Sequence, residues 1–258
     1  MKRNPATLEI LKWQTEELGL SFILGNLDTF LHEESGKDRP LIDSLSELFD
    51  LEITQRKQRA AKARLKMSNL PVVKTLEGFD AVHVDGITGK QLTELATLAF
   101  LERKENVVLM GPSGLGKSHI LYGLCYRSCM EGYTAYHLTC QDLMEKLVTA
   151  KQHNRLSRKI RALCKPKLLA IDEIGYQNLT PEEAPLFFQL VAERYEKGSI
   201  LLTTNKSFGQ WGELMGENAI ATATLDRLLH HSQVYVLKGE SYRLKNRIKL
   251  GLVPPTNQ

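Results

Sequence analysis

The chain has 258 residues, 42% hydrophobic and 25% charged, with a net charge of +4 at pH 7, enough for one full α/β domain and a small second unit of ordinary globular composition. No apolar run approaches the ~20 residues of a membrane span, and the basic start Met1-Lys-Arg-Asn-Pro5 has no apolar stretch behind it, so the expectation is a cytoplasmic protein with no membrane contact. Cys125, Cys129, Cys140 and Cys164 form no C-x-x-C pair and read as reduced thiols, neither metal ligands nor a disulfide framework.

Residues 1–70 show no strand signal and predict a small all-helical domain. Leu8, Leu11, Thr15 and Leu18 keep helical spacing up to Gly19, a second helix is expected over 21–34, and Ser35 to Pro40 is a loop. A long helix over about 43–67 begins apolar, with Leu45, Leu48 and Phe49. It turns basic with Arg56, Lys57, Arg59, Lys62, Arg64 and Lys66, with no acid between Glu52 and Glu77. From residue 71 to 258 short apolar runs alternate with amphipathic segments, which predicts a parallel sheet flanked by helices.

The first of those runs, Asn106 to Met110, leads into Gly111, Pro112, Ser113, Gly114, Leu115, Gly116, Lys117 and Ser118, followed by His119 at the head of a helical pattern. This is G-x-x-x-x-G-K-S/T, the phosphate-binding loop, in the strand–loop–helix context that it requires. The glycines let backbone N–H groups surround phosphates, Lys117 is placed for the β- and γ-phosphates, and Ser118 for Mg²⁺. The ligands implied are ATP and Mg²⁺.

A strand is expected over 134–138, with Thr139 capping the next helix. The basic helices that follow, over 140–164, carry Lys146, Lys151, Arg155, Arg158, Lys159 and Arg161, with no acid between Glu145 and Asp172. Each basic run reads as a solvated helix face or as a polyanion contact. Two such runs beside a phosphate-binding loop favour nucleic acid. The apolar run Leu168 to Ile171 ends in Asp172-Glu173. These residues suit a second Mg²⁺ contact and a general base for the attacking water. The alternative is a helix cap, but no helical period starts at Ile174-Gly175.

Thr180-Pro-Glu-Glu183 predicts a capping box and a helix through Lys197, with Pro185 awkward near its start. The strand over 200–204 ends in Asn205, which reads as a γ-phosphate contact or as an ordinary loop residue. A helix over about 219–231 carries Asp226-Arg227, a surface ion pair or an arginine aimed at a neighbouring subunit's nucleotide. After a last strand over 234–237 too little chain remains for a helical lid domain, although Arg243 lies there.

Together these residues resemble the IstB family, the AAA+ helper ATPases encoded beside certain bacterial transposases and related to the DnaC helicase loaders. Beyond the ATPase motifs, the resemblance rests on Val73-Lys-Thr75, Ile171-Asp-Glu-Ile-Gly-Tyr176, Phe208-Gly-Gln-Trp211, Leu225-Asp-Arg-Leu-Leu-His-His231 and Lys238-Gly-Glu-Ser-Tyr-Arg243. Phe79-Asp-Ala81, which lacks a second aromatic, and Pro185 depart from its pattern. The resemblance implies that Asn205 is a first sensor, Arg227 an arginine finger acting in trans, and Arg243 a second sensor. It also implies binding to duplex DNA with little sequence preference, a homo-oligomer on that DNA, and a partner transposase. A DnaC-like helicase loader is the alternative of the same superfamily. A small-molecule kinase fits less well, because it needs neither Glu173 beside Asp172 nor two basic runs.

Overall fold

The computed structural model describes residues 5–79 and 84–239. Its compact units are Met1–Lys62 and Ala63–Gln258.

The first unit is helical. It contains α1 (Pro5–Glu17), α2 (Ser21–Glu34) and most of α3 (Leu41–Met67). Gly19, with φ +64°, turns the chain between α1 and α2. Ile23, Leu27 and Leu48 form its small core. The N-terminus of α2 begins after Leu20, which has no side chain to cap it. The cap comes from α3: the Glu52 carboxylate, 2% exposed, accepts the N–H groups of Phe22 at 2.8 Å and Ile23 at 3.1 Å. A carboxylate at a helix N-terminus also meets the positive end of the helix dipole. Arg59 donates to the same carboxylate at 3.1 Å, and Arg56 lies 3.7 Å from it while donating to the Gly19 carbonyl at 3.0 Å. The unit also leaves apolar side chains in solvent, among them Trp13, Leu18, Leu41, Ile42 and Phe49.

The second unit is a five-stranded parallel sheet in the order β2-β3-β4-β1-β5. The strands are β1 (Asn106–Met110), β2 (Ala135–Thr139), β3 (Leu168–Ile174), β4 (Ser199–Thr204) and β5 (Ser232–Val236). The three central strands are buried almost throughout, which is why they read as unbroken apolar runs rather than as alternation. Side chains alternate between two layers. Val107, Leu109, Leu168, Ala170 and Leu201 pack under α4 (Gly89–Ala96), α5 (Ala99–Glu102) and α6 (Lys117–Met130). Val108, Leu169, Ile171, Ile200 and Leu202 pack under α7 (Cys140–Gln152), α8 (Leu156–Cys164), α9 (Glu183–Arg194), α10 (Trp211–Met215) and α11 (Asn218–Leu229). This is the expected α/β core preceded by helices.

Several elements depart from the sequence expectations. The Thr180–Glu183 box forms, with the Thr180 N–H donating to Glu183 at 2.8 Å and the Glu183 N–H to Thr180 at 3.3 Å. Helical geometry nevertheless begins only at Glu183, which puts Pro185 in the first turn, where its missing N–H costs no helical bond. At its other end α9 stops at Arg194, short of Lys197. Glu196 takes φ +57°, and the buried Arg194 guanidinium donates to the carbonyls of Leu163, Pro166, Lys167 and Ser199. Burial pushes that guanidinium down to about 10, so it keeps its charge at neutral pH. Helices α4, α5 and α10 have no counterpart among the expected elements, although Thr88 and Gln91 cap α4 reciprocally. All four cysteines are unpaired, and burial pushes their thiols up. No helix among the described residues is long and apolar enough to cross a membrane. The expectation about a C-terminal lid concerns residues 240–258, outside the described residues.

Replacing Glu52 by Ala should lower the stability of the helical unit by about 2–4 kcal/mol, because two buried N–H groups lose their acceptor. Urea unfolding of the full chain, with hydrogen exchange of the Phe22 and Ile23 amides, measures it. Exchange at those amides as slow as in the wild type would refute the cap.

Candidate nucleotide site

The site lies at the C-terminal ends of β1, β3 and β4. Leaving β1, the chain enters Gly111 at φ +146°, where a Cβ would stand 2.3 Å from the Leu237 carbonyl oxygen. Only glycine fits between the exits of β1 and β5. At Gly116, the residue before α6, φ is +82° and a Cβ would meet the Phe79 ring at 2.5 Å. Phe79 therefore lies over the phosphate-binding loop. It packs edge-on to His119 at 5.7 Å, and His119 Nε2 lies 2.9 Å from the Thr75 carbonyl oxygen.

Lys117 is buried, and its ammonium donates to the carbonyls of Gly111 at 2.6 Å and Pro112 at 2.7 Å. It thus spans the loop that it belongs to. Ser118 opens the next turn and donates through Oγ to Asp172 Oδ1 at 3.1 Å, across 54 residues of sequence. Asp172 is 1% exposed. Tyr122 donates to its Oδ2 at 3.0 Å, and Thr203 of β4 donates to its Oδ1. The Glu173 N–H reaches Asp172 Oδ1 at 3.1 Å and Thr203 Oγ1 at 2.9 Å. Burial and the Asp172 charge push the Tyr122 phenol up, so it remains a proton donor.

Glu173 is the exposed member of its strand end. Its φ is +66°, a left-handed conformation that a non-glycine residue holds only when its surroundings impose it, and the register of β3 against β4 slips between Ile171 and Ile174. The slip turns the Glu173 carboxyl out of the sheet while Asp172 stays buried. Asn205 follows β4 directly and is exposed. A Cβ on Gly175 would stand 2.7 Å from its amide oxygen, so Gly175 is what lets Asn205 lie against the end of β3.

These residues fit a nucleotide phosphate chain with Mg²⁺. The loop has room only for backbone at Gly111 and Gly116, and a hard divalent cation takes the oxygen donors that Ser118 and Asp172 bring together. Bound Mg²⁺ would neutralise phosphate charge. The residues of the loop, Lys117, Ser118, His119, Asp172, Glu173 and Asn205, converge here.

Arg227 does not join them. Arg227 lines a small cavity with Asn106, Gly198 and Ile200, which begin β1 and β4, so it lies at the opposite end of the strands. Its guanidinium stacks on Phe188 at 4.8 Å and donates to the Ala223 carbonyl at 3.1 Å. Asp226 forms no ion pair with a described residue. Arg243 lies outside the described residues. Arg155 stands at the head of α8 and Arg158 and Lys159 lie on it; the buried residues of that helix, Ile160 and Leu163, belong to the core layer opposite that of α6.

Sequence reasoning missed Tyr122 and Thr203. Tyr122 follows Ser118 by four residues on α6, one turn along the same face, and that spacing was the available signal. Thr203 sits in an apolar run, where a threonine passes for a strand residue. Phe208-Gly-Gln-Trp211 proves to be packing: Trp211 is wholly buried against Phe187 and Phe208.

The sequence profile described as IstB-like ATP binding protein matches residues 14–250. A protein of Pseudomonas aeruginosa described as an ATP-binding protein of insertion sequence IS21 is 43% identical over 95% of this chain and 92% of its own length. One from Geobacillus stearothermophilus, of insertion sequence IS5376, is 43% identical over 79% of this chain and 81% of its own. Among solved structures, the DnaC helicase loader superposes with a TM-score of 0.51 at 16% identity, over 64% of this chain and 96% of that one. AMPPCP-bound DnaA from Aquifex aeolicus gives 0.51 at 18% identity, over 71% and 57%. These distant likenesses establish a P-loop AAA+ fold. With a family profile spanning nearly the whole sequence, a phosphate-binding loop closed on Asp172 and the sheet order described above, the chain belongs to the IstB-like ATP-binding protein family of insertion sequences.

Proposed function

We propose that the protein is a Mg²⁺-dependent ATPase that assembles on duplex DNA with little regard to sequence and recruits or stimulates the transposase of its insertion sequence. The observation that carries the enzymatic part is the Ser118–Asp172 contact at 3.1 Å with Glu173 turned outward beside it. In this reading the loop N–H groups and Lys117 hold the phosphates, and Ser118 and Asp172 hold Mg²⁺. Glu173 takes the proton of the attacking water, and Asn205 orients that water against the γ-phosphate. The transposition part rests on the family, whose relatives at 43% identity are described as insertion-sequence proteins. A helicase loader shares the fold at only 16% identity, so a helicase is the second choice of partner.

Lys117→Ala should abolish nucleotide binding, whereas Glu173→Gln should keep it and depress turnover by about 10²–10⁴, the usual range for a general base. Affinity of a fluorescent ATP analogue and phosphate release separate the two. Normal hydrolysis by the Glu173→Gln protein would remove Glu173 from this role.

The place of Arg227 supports action in trans. Strands of five or six residues rise by about 3.3 Å per residue, so an arginine at their start is roughly 16 Å from a phosphate at their end, beyond the reach of its side chain. Another subunit's phosphates are then its natural target. Arg227→Ala should bind nucleotide as the wild type does but show turnover in the assembly reduced by about 10³ or more. Mixing it with Lys117→Ala protein should restore part of the activity, because each supplies what the other lacks. No recovery at any ratio, with co-assembly verified, would rule out a shared site.

For DNA, the two basic runs differ in what they already hold. Arg56 and Arg59 are engaged with Glu52, whereas Arg155, Arg158 and Lys159 form no ion pair with any described residue. We assign the main phosphate-binding role to α8, with Lys57 and its neighbours contributing less. Replacing Arg155, Arg158 and Lys159 together by Ala should weaken binding evenly across sequences. It should also flatten the salt dependence by up to about 0.9 in slope for each phosphate that is no longer neutralised. Binding isotherms on two unrelated duplexes at several salt concentrations measure this. An unchanged slope would make α8 a solvated face.

A further inference from the structure

The Asp172 carboxylate has two oxygens, and they are held differently. Oδ1 accepts from Ser118, from Thr203 and from the Glu173 N–H. Oδ2 accepts from Tyr122, its one donor among the described residues. Ser118 and Tyr122 stand one turn apart on the same face of α6, so a single helix grips both ends of the carboxylate. With Oδ1 held alone, the group can still swing about its Cβ–Cγ bond. Fixing Oδ2 removes that freedom.

Tyr122 is itself fixed from behind. The His137 ring meets it edge-on at 5.2 Å and 86°. His137 is buried on β2, and burial lowers its pKa, so the ring is neutral. Its Nδ1 lies 3.3 Å from the Asn69 carbonyl oxygen, which makes Nδ1 the protonated nitrogen, and Nε2 is buried with no hydrogen-bond partner among the described residues. Its backbone is held as well: the His137 N–H donates to the Ser68 carbonyl at 2.8 Å, and Asn69 Nδ2 donates to the His137 carbonyl at 2.9 Å. A ring held at both backbone groups is a rigid wall for the tyrosine.

We propose that Tyr122, braced by His137, is a positioning residue for the metal–nucleotide complex, orienting Asp172 for Mg²⁺ before the cation arrives. This rests on the nucleotide reading of the site and adds to it a residue outside the phosphate-binding motif. Tyr122 touches neither phosphate nor metal in this role. It acts through Asp172, as hydrogen-bond partners of metal ligands do, and such partners typically contribute 10–100-fold in metal affinity. Because Oδ1 keeps its three donors when the Tyr122 hydroxyl is removed, the lower end of that range applies.

Tyr122→Phe removes the hydroxyl alone and keeps the ring that packs against His137. The affinity of a fluorescent ATP analogue, measured in EDTA and over a Mg²⁺ titration, reads the effect. In EDTA the variant should match the wild type within about twofold, whereas its half-saturating Mg²⁺ should rise about tenfold. Electron paramagnetic resonance of Mn²⁺ with the same nucleotide should show the same weakening. Excess Mg²⁺ should return hydrolysis close to the wild-type rate, a rescue that a packing defect would not show. If the wild type responds to Mg²⁺ and Tyr122→Phe responds at the same concentration, the positioning role is wrong and the nucleotide site stands. A wild type whose nucleotide affinity ignores Mg²⁺ overturns the metal reading of the site and this proposal with it.

Discussion

A negative charge buried in the sheet is the constraint around which the second unit is arranged. Asp172 is 1% exposed at the end of a strand enclosed on both faces. Burying a carboxylate costs several kcal/mol even after a protein relaxes around it. Hydrogen bonds to a charged group return about 1.5–3 kcal/mol each, so one donor is too few and several suffice. The fold supplies them from three elements: Ser118 and Tyr122 from α6, Thr203 from β4, and the backbone of Glu173 on β3 itself. The β3–β4 pairing and the seat of α6 over the sheet are therefore requirements of that carboxylate as much as of apolar burial. The strained backbone of Glu173 belongs to the same arrangement, because its N–H reaches both Asp172 and Thr203 only after the register slips.

The sheet also separates two kinds of chemistry. Its C-terminal edge gathers backbone N–H groups, Lys117 and carboxylates; its N-terminal edge carries Arg227 beside the starts of β1 and β4. Parallel strands impose this polarity, since every strand exits on the same side. One chain thus carries the phosphate-binding loop motif at one edge of its sheet and the Arg227 guanidinium at the other. Arg227 stacks on Phe188 and donates to the Ala223 carbonyl, so its guanidinium is held against its own helix without an ion pair to a described residue.

Much of the second unit was legible because its interactions are local in sequence. Strands buried on both faces must be apolar at every position, and the phosphate-binding loop must place its glycines, lysine and serine consecutively because one turn of backbone does the binding. Both leave unbroken signatures, at Val107 to Ser118 and at Leu168 to Glu173. The rest depended on partners far apart in the chain. The cap of α2 is Glu52, 30 residues beyond the N–H that it accepts. The end of α9 is set by where Arg194 finds carbonyls, on α8, the α8–β3 connection and β4, so Gly198 marked the turn but not the last helical residue. Tyr122 was hidden for a related reason: its hydroxyl acquires meaning only once β3 delivers Asp172 to the same helix face.

The basic runs show how far a charge count carries. In sequence, Arg56, Lys57 and Arg59 look as suited to a polyanion as Arg155, Arg158 and Lys159. Folded, two of the first three are drawn to Glu52, a carboxylate nearly withdrawn from water, in a network that also caps a helix. An arginine so placed must leave a buried charge undercompensated in order to bind a phosphate, and the cost of that exchange offsets what the phosphate returns. Arg155, Arg158 and Lys159 face no such exchange. They stand over a helix whose other side is anchored by Ile160 and Leu163, so the apolar face fixes the basic face without drawing any of its charges into the fold. Charges that a fold has already used are poor candidates for its partners, and a cluster counts as a binding surface only after its internal ion pairs are subtracted.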